Sequence, residues 1–384
     1  MLWLTSRAAL PVLKNASLLS NAAGQRLRAL AAEIEALGAE PVQRAVDREI
    51  ARRAGADLAG LEAYRRHPFR RRGASLPVVW CQGTTRLLDY GDGVGPTVLV
   101  IPSLINRYYV LDLLPERSFL RHLASCGLRP LVVDWGAPSS EERNFDLTDY
   151  IVGRLEAAFA AASRTADAPI GIVGYCMGGL LALALALRRR NRVGCVALLA
   201  TPWDFHAQGG QAQLLGLLVE WLAQVCGTAG TLPVDAVQAL FFLLDPFSAE
   251  RKFVRFAALD PEGDEARRFV ALEDWINDGV PLAIGVAREC ARAWYGDNQP
   301  GNGLWRVAGQ VVRPQGLRRP VLAVVPGRDR IVPPSSAEPL AAALGTATVL
   351  RPPLGHIGMM SAVRAPEMLW TPIAAWLLTQ LGAR

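Results

Sequence analysis

The chain has 384 residues, 51% of them hydrophobic, so it can bury a full core and is not a disordered polymer. Its formal net charge of +6 would suit a nucleic-acid partner, but only two of the 41 basic residues are lysine, Lys14 and Lys252. Arginine beside abundant alanine points to a coding bias, and runs such as Arg65-Arg66 and Arg70-Arg71-Arg72 read as solvated surface, so no nucleic acid is expected.

The six cysteines, at 81, 126, 176, 195, 226 and 290, have no C-x-x-C spacing and no regular framework. Free thiols in a reducing, cytoplasmic setting and no metal site are the expectation. No run reaches the ~18 apolar residues of a membrane span. Pro11 and Lys14 interrupt any apolar stretch that would make the first two dozen residues a signal peptide.

In chain order, residues 25 to 37 place Leu27, Leu30, Ile34 and Leu37 on one helical face that ends at Gly38. Such an amphipathic arm is expected to dock on its own domain. Residues 39 to 75 read as helix and then loop, broken at His67-Pro68. From residue 84, strand and helix alternate: strand 86–90, a turn at Gly91-Asp92-Gly93, buried strand 97–101, helix 116–126, strand 129–135 and helix 147–163. A further strand, 169–173, leads into a small-residue helix, 178–187, and strand 193–200 follows. Residues 203 to about 317 then hold helix-like stretches (214–225, 234–244, 269–276 and 283–294) and no clear strand. The alternation resumes with strand 320–325, helix 335–344, strand 347–350 and helix 366–381.

This order predicts an α/β fold with a mostly parallel sheet flanked by helices and ligands at the strands' carboxyl ends. Residues 1–75 form an amino-terminal helical arm in this reading. The core is 76–202 with 318–384, and 203–317 is a helical cap inserted before the acid-bearing strand.

The chemistry centres on Gly174-Tyr-Cys176-Met-Gly178, between the buried strand and the buried helix. It has the form of the nucleophile elbow G-x-S-x-G with cysteine in the serine position. A strand that turns so sharply into a helix strains the nucleophile's backbone and leaves no room for a Cβ on its neighbours. Sulfur would then sit over a helix amino terminus, whose partial positive charge favours a thiolate. The plainer reading is a buried core cysteine.

A thiol nucleophile needs a base. Of four histidines, His67 precedes the sheet, His122 lies within a helix and His206 opens the cap. His356, in Leu354-Gly-His-Ile-Gly358, follows the last strand, where the base is expected. For the acid, Asp329 ends the strand after the cap, with Asp204 and Asp134 as rivals at neighbouring strand ends and Asp134 read as structural. The order Cys176, Asp329, His356 is the nucleophile, acid, base order of α/β-hydrolases. Oxyanion donors are expected from the backbone N–H of Met177 and of Ile105, in the loop after strand 97–101.

With these residues placed, the chain resembles the catalytic subunit of polyhydroxyalkanoate synthases, in particular the short class III subunits. The likeness rests on Ile105-Asn-Arg-Tyr-Tyr-Val-Leu-Asp-Leu113, Asp134-Trp-Gly136, Leu147-Thr-Asp-Tyr-Ile151, Gly174-Tyr-Cys-Met-Gly-Gly179, Leu272-Glu-Asp-Trp-Ile276 with Asp278, Asp329 with Val332-Pro-Pro334, and Gly355-His-Ile-Gly358. It covers roughly residues 84 to 380. Arg330 departs from it, standing where that family usually has histidine, and the first seventy residues match nothing in it.

The resemblance implies an acyltransferase that polymerises 3-hydroxyacyl-CoA. His356 would take the Cys176 proton, thiolate would attack the thioester, CoA would leave, and Asp329 would orient His356. CoA thioester is then substrate, with no cofactor. The implied partners are a second synthase subunit, a second copy of the chain in a homodimer, and the polyester granule surface. A thioesterase or polyester depolymerase would use the same triad, and a non-catalytic granule protein would need none of it.

Overall fold

The computed structural model describes residues 22–73, 75–226, 230–244 and 248–382. The stretch weighed as a signal peptide lies almost wholly outside them. The chain forms two compact units, one of residues 1–69 with 247–270 and the other of 70–246 with 271–384.

The first unit is helical. Helices Ala22–Leu37 and Ala39–Arg66 run through its amino-terminal part, and Ser248–Phe256 and the start of Asp264–Asn277 complete it. Tyr64 meets Phe253, Phe256 and Phe269, and Phe256 stacks on Phe269 with centroids 4.4 Å apart. Gly60 lets the helices close, since a Cβ there would overlap the backbone carbonyl of Phe253. The expected apolar face behaves differently. Leu30 and Leu37 are exposed, so that part of the arm is not buried as its periodicity suggested. Segment 248–270, assigned to the cap from sequence, is grouped here with the amino-terminal helices.

The second unit is built on eight strands: β1 Val78–Gln82, β2 Thr85–Asp89, β3 Thr97–Ile101, β4 Arg129–Asp134, β5 Ile170–Tyr175, β6 Val193–Leu199, β7 Val321–Val324 and β8 Thr348–Leu350. Their order across the sheet is β1-β2-β4-β3-β5-β6-β7-β8. The β1-β2 and β2-β4 pairs are antiparallel and all others parallel. β3 pairs with β4 on one side and β5 on the other, so the winding reverses there and opens a crevice at the strands' carboxyl ends. β3 and β5 are buried at every residue, as continuous apolar runs in a parallel sheet require. Helix Met177–Arg188 is buried from Met177 through Ala186, which explains its lack of a polar face.

Three expectations shift. β1 was not foreseen, because as an exposed edge strand it carries no clear alternation. The helix expected from 116 begins at Phe119: a short antiparallel pair, Asp112–Leu114 with Arg117–Ser118, precedes it, and Ser118 caps it by accepting from Arg121 N at 3.0 Å. The cap segment, read as strandless, contains two pairs of two-residue strands, Thr231–Leu232 with Leu282–Ala283 and Arg306–Val307 with Gln310–Val311, too short for any periodicity to reveal. Its helices Gln211–Val225, Val234–Leu244 and Ile284–Glu289 fall where apolar runs placed them.

Among the described residues, no helix is long and apolar enough to cross a membrane. All six cysteines are free.

Candidate active site

Cys176 sits between β5 and helix Met177–Arg188 with φ 57° and ψ −127°, a backbone conformation that side chains other than glycine rarely adopt. What holds it there is close packing on both sides. A Cβ at Gly174 would come within 2.5 Å of Gly179 Cα, and one at Gly178 would overlap the Ile101 carbonyl oxygen and lie 2.6 Å from that of Pro102. The glycines on either side of the cysteine therefore let the turn press against the end of β3. The Cys176 N–H donates to Leu199 O at 2.8 Å, fixing the cysteine's backbone to the end of β6.

The other chemistry-bearing residues arrive on the loops after β7 and β8. These two loops are tied together, Gly327 N donating to Pro352 O at 2.9 Å and Arg328 N to Leu354 O at 3.0 Å. Their side chains meet as well: His356 Nδ1 and Asp329 Oδ2 are 2.7 Å apart, both residues buried. Asp329 Oδ1 accepts from Ile331 N at 2.8 Å and Val332 N at 2.9 Å, so both carboxylate oxygens are occupied and the carboxylate cannot swing.

His356 also feels Cys176. Burial alone would lower its proton affinity, but the charge of Cys176, hydrogen bonds to Asp329 and to Cys176, and the charge of Asp329 outweigh it and raise the imidazole pKa to about 10. An imidazole with that affinity, beside a thiol, is equipped to take its proton. Apolar groups line the same corner: Val325 and Val332 form a small buried cluster on which Cys176 packs.

The rival residues have other partners. Asp134 pairs with Arg86 at 2.6 Å and accepts from Gly136 N, the structural role expected of it. Asp204 accepts from His206 N and from Asn298 Nδ2 at 2.8 Å, joining the loop after β6 to the cap. His206 Nε2 lies 2.8 Å from Tyr295 O, His67 Nε2 lies 2.8 Å from Pro261 O, and His122 lies 3.2 Å from Thr371 Oγ1.

Met177 is the first residue of the helix, where a backbone N–H has no intrahelical acceptor. The Ile105 N–H donates to Ser103 Oγ at 3.0 Å in a local turn that the sequence reading passed over.

Sequence reasoning also missed the roles of residues it had singled out only as motif. Trp275 Nε1 donates to Arg107 O at 2.8 Å, Arg107 pairs with Asp278 at 2.8 Å, and Tyr109 OH donates to Asp278 Oδ2 at 2.8 Å. Together they clamp the cap segment onto the loop after β3, beside the elbow. Among the described residues, no group of three or more His, Cys, Asp or Glu is arranged to hold a metal ion.

Comparison with known proteins adds four findings. Residues 96–363 match the family model described as the alpha/beta hydrolase fold. The chain is 28% identical over 301 residues to the "Poly(3-hydroxyalkanoate) polymerase subunit PhaC" of Thiocystis violacea, covering 75% of this chain and 83% of that protein. It is 28% identical over 284 residues to the protein of the same name from Haloarcula marismortui, covering 73% of this chain but only 60% of the longer relative. A solved structure from the thaumarchaeon Nitrososphaera gargenis, reported with carboxylesterases, superposes with a TM-score of 0.51 at 15% identity, covering 79% of this chain and 99% of that one, a likeness of fold alone.

Proposed function

Because the chain belongs to the alpha/beta hydrolase fold family, we propose that within it the protein is an acyltransferase that polymerises 3-hydroxyacyl-CoA into polyhydroxyalkanoate through an acyl-Cys176 intermediate. In the first half-reaction His356 Nε2 takes the proton of Cys176, and sulfur adds to the thioester carbonyl. The tetrahedral oxyanion is met by the Met177 N–H. Collapse expels CoA thiolate, which takes the proton back from His356 and leaves the acyl group on sulfur. In the second half-reaction His356 removes the proton of a 3-hydroxyl, whose oxygen attacks the acyl-sulfur carbonyl. An ester forms, and the cysteine leaves as thiolate and recovers the proton. Asp329 keeps the imidazole in the tautomer that bears its proton on Nδ1, which frees Nε2 for both transfers.

The observation that carries this reading is a cysteine, not a serine, at a strained elbow beside a histidine held by an aspartate at 2.7 Å. Exchange of one thioester for another is nearly balanced in free energy, so the acyl group stays transferable to a hydroxyl. The apolar wall at Val325 and Val332 disfavours water as the competing acceptor. Similarity to polymerase subunits supports the polymerising outcome. The same reading expects a second synthase subunit, a second copy of the chain and the polyester surface as partners, with no cofactor beyond the CoA thioester.

Incubation with 3-hydroxybutyryl-CoA, with and without a candidate second subunit, tests the proposal. Insoluble polyester and stoichiometric free CoA are expected. Free 3-hydroxybutyrate as the sole acyl product under both conditions would reject polymerisation in favour of a thioesterase.

A further inference from the structure

The residue that precedes the nucleophile has an unusual set of contacts. Tyr175 ends β5, is buried, and its hydroxyl donates to the backbone carbonyl of His356 at 3.2 Å, across 181 residues of sequence. Its ring lies beside the imidazole, with centroids 5.2 Å apart and planes 32° from parallel. The base is thus gripped from two directions. Asp329 fixes the imidazole through Nδ1, and Tyr175 fixes the main chain that carries it.

The need for a second grip follows from the local structure. His356 lies in a turn between β8 and the one-turn helix Gly358–Ser361, outside any regular element. Asp329 can set the ring's orientation but not its distance from sulfur, because it comes from the neighbouring loop and would move with it. Tyr175 is covalently next to Cys176. A bond from its hydroxyl to the base-bearing turn therefore measures the cysteine-to-histidine separation directly from the nucleophile's own backbone.

We infer that Tyr175 is a positioning residue that sets the distance between Cys176 and His356 through its hydroxyl bond to the His356 carbonyl. The inference rests on the proposed role of Cys176 and His356 as nucleophile and base but not on the identity of the acyl substrate. The phenol exchanges no proton with substrate. Burial pushes its ionisation well above the ordinary tyrosine range, so it stays a neutral donor. Loss of the hydroxyl should leave the fold intact, since the ring still fills its site, while the turn drifts from the sulfur.

The test uses a reaction that needs no acyl-CoA: alkylation of Cys176 by iodoacetamide, followed by peptide mass spectrometry across pH in the full-length protein. For Tyr175→Phe, alkylation of Cys176 at neutral pH should slow by about three- to tenfold, the effect of one lost hydrogen bond. The pH profile should shift towards that of an unassisted thiol, while unfolding stays cooperative and the denaturation midpoint falls only by the small amount that one lost buried hydrogen bond explains. In the His356→Ala background the same substitution should have no further effect on alkylation, because a positioning residue acts only through the group it positions. With substrate, kcat should fall and KM should not. An unchanged alkylation profile in Tyr175→Phe, or an equal slowing with and without His356, would overturn the inference. If instead alkylation behaves as expected but no acyl transfer to Cys176 is seen, the substrate reading fails and this one stands.

Discussion

Replacing Asp329 with asparagine is isosteric, so nothing about its effect should come from space. Oδ1 of Asp329 accepts two backbone amides, from Ile331 and Val332, at 2.8 and 2.9 Å. Asparagine can satisfy both only by keeping its carbonyl oxygen there, which turns its NH2 towards His356 Nδ1, now 2.7 Å from a carboxylate oxygen. Two N–H groups cannot face each other, so the imidazole must move its proton to Nε2 and offer Nδ1 as acceptor. The nitrogen nearest sulfur then carries a hydrogen and cannot accept another. The same inversion in a serine triad lowers kcat by about 10⁴, and a loss of about 10³ to 10⁴ in CoA release is expected here.

The variant also loses the carboxylate charge that helps raise the His356 pKa to about 10. A histidine whose pKa is raised by folding stabilises the protein fully below its ordinary value of 6.5, and that contribution disappears as pH rises through about 10. Asp329→Asn should therefore be less stable than the wild type at pH 6 and closer to it above pH 10. Steady-state CoA release and denaturant unfolding at the two pH values measure both effects. A rate within about tenfold of the wild type would refute the assignment of Asp329 as the group that fixes the base.

Gly178→Ala sets a methyl group against the Ile101 and Pro102 carbonyls, which belong to backbone and cannot rotate away. We expect a loss of about 2–3 kcal/mol in chemical denaturation, with slower alkylation of Cys176; wild-type values for both would show that the elbow has slack. Glu289 accepts from Leu147 N at 3.0 Å, and burial pushes its carboxyl up from 4.5 to about 7. An acid whose pKa is raised by folding costs nothing below its ordinary value of 4.5, destabilises progressively as pH rises from there to about 7, and adds no further cost above that. Glu289→Gln should thus match the wild type near pH 4 and exceed it near pH 8 by up to about 3 kcal/mol, read from urea unfolding at each pH. An equal difference at both pH values would exclude that cause.

The legibility of this chain followed the length and period of its signals. β3, β5 and the helix after Cys176 are long apolar runs, and each formed where the sequence placed it. Elements of two or three residues, such as the pair at 231–232 and 282–283, have no period to detect. The start of the helix at Phe119 depended on Ser118 outcompeting Glu116 as the boundary, a matter of capping geometry. At the site, Asp329 and His356 could be named because each follows a sheet strand, but nothing in sequence gives the 2.7 Å contact between residues 27 apart. The bond from the Ile105 amide to the Ser103 hydroxyl two residues earlier is a matter of local turn geometry that spacing alone does not give. Tyr175 was invisible for the opposite reason: its partner is a backbone carbonyl, which every residue possesses.

An acyl-enzyme intermediate on Cys176 can be trapped. The protein is mixed with 3-hydroxybutyryl-CoA, quenched in acid within one turnover, digested and read by mass spectrometry. One acyl group is expected on the peptide bearing Cys176, absent from Cys176→Ala and scarce in His356→Ala. Turnover that proceeds with Cys176 never acylated, or an acyl group that accumulates on a different residue, would contradict that intermediate.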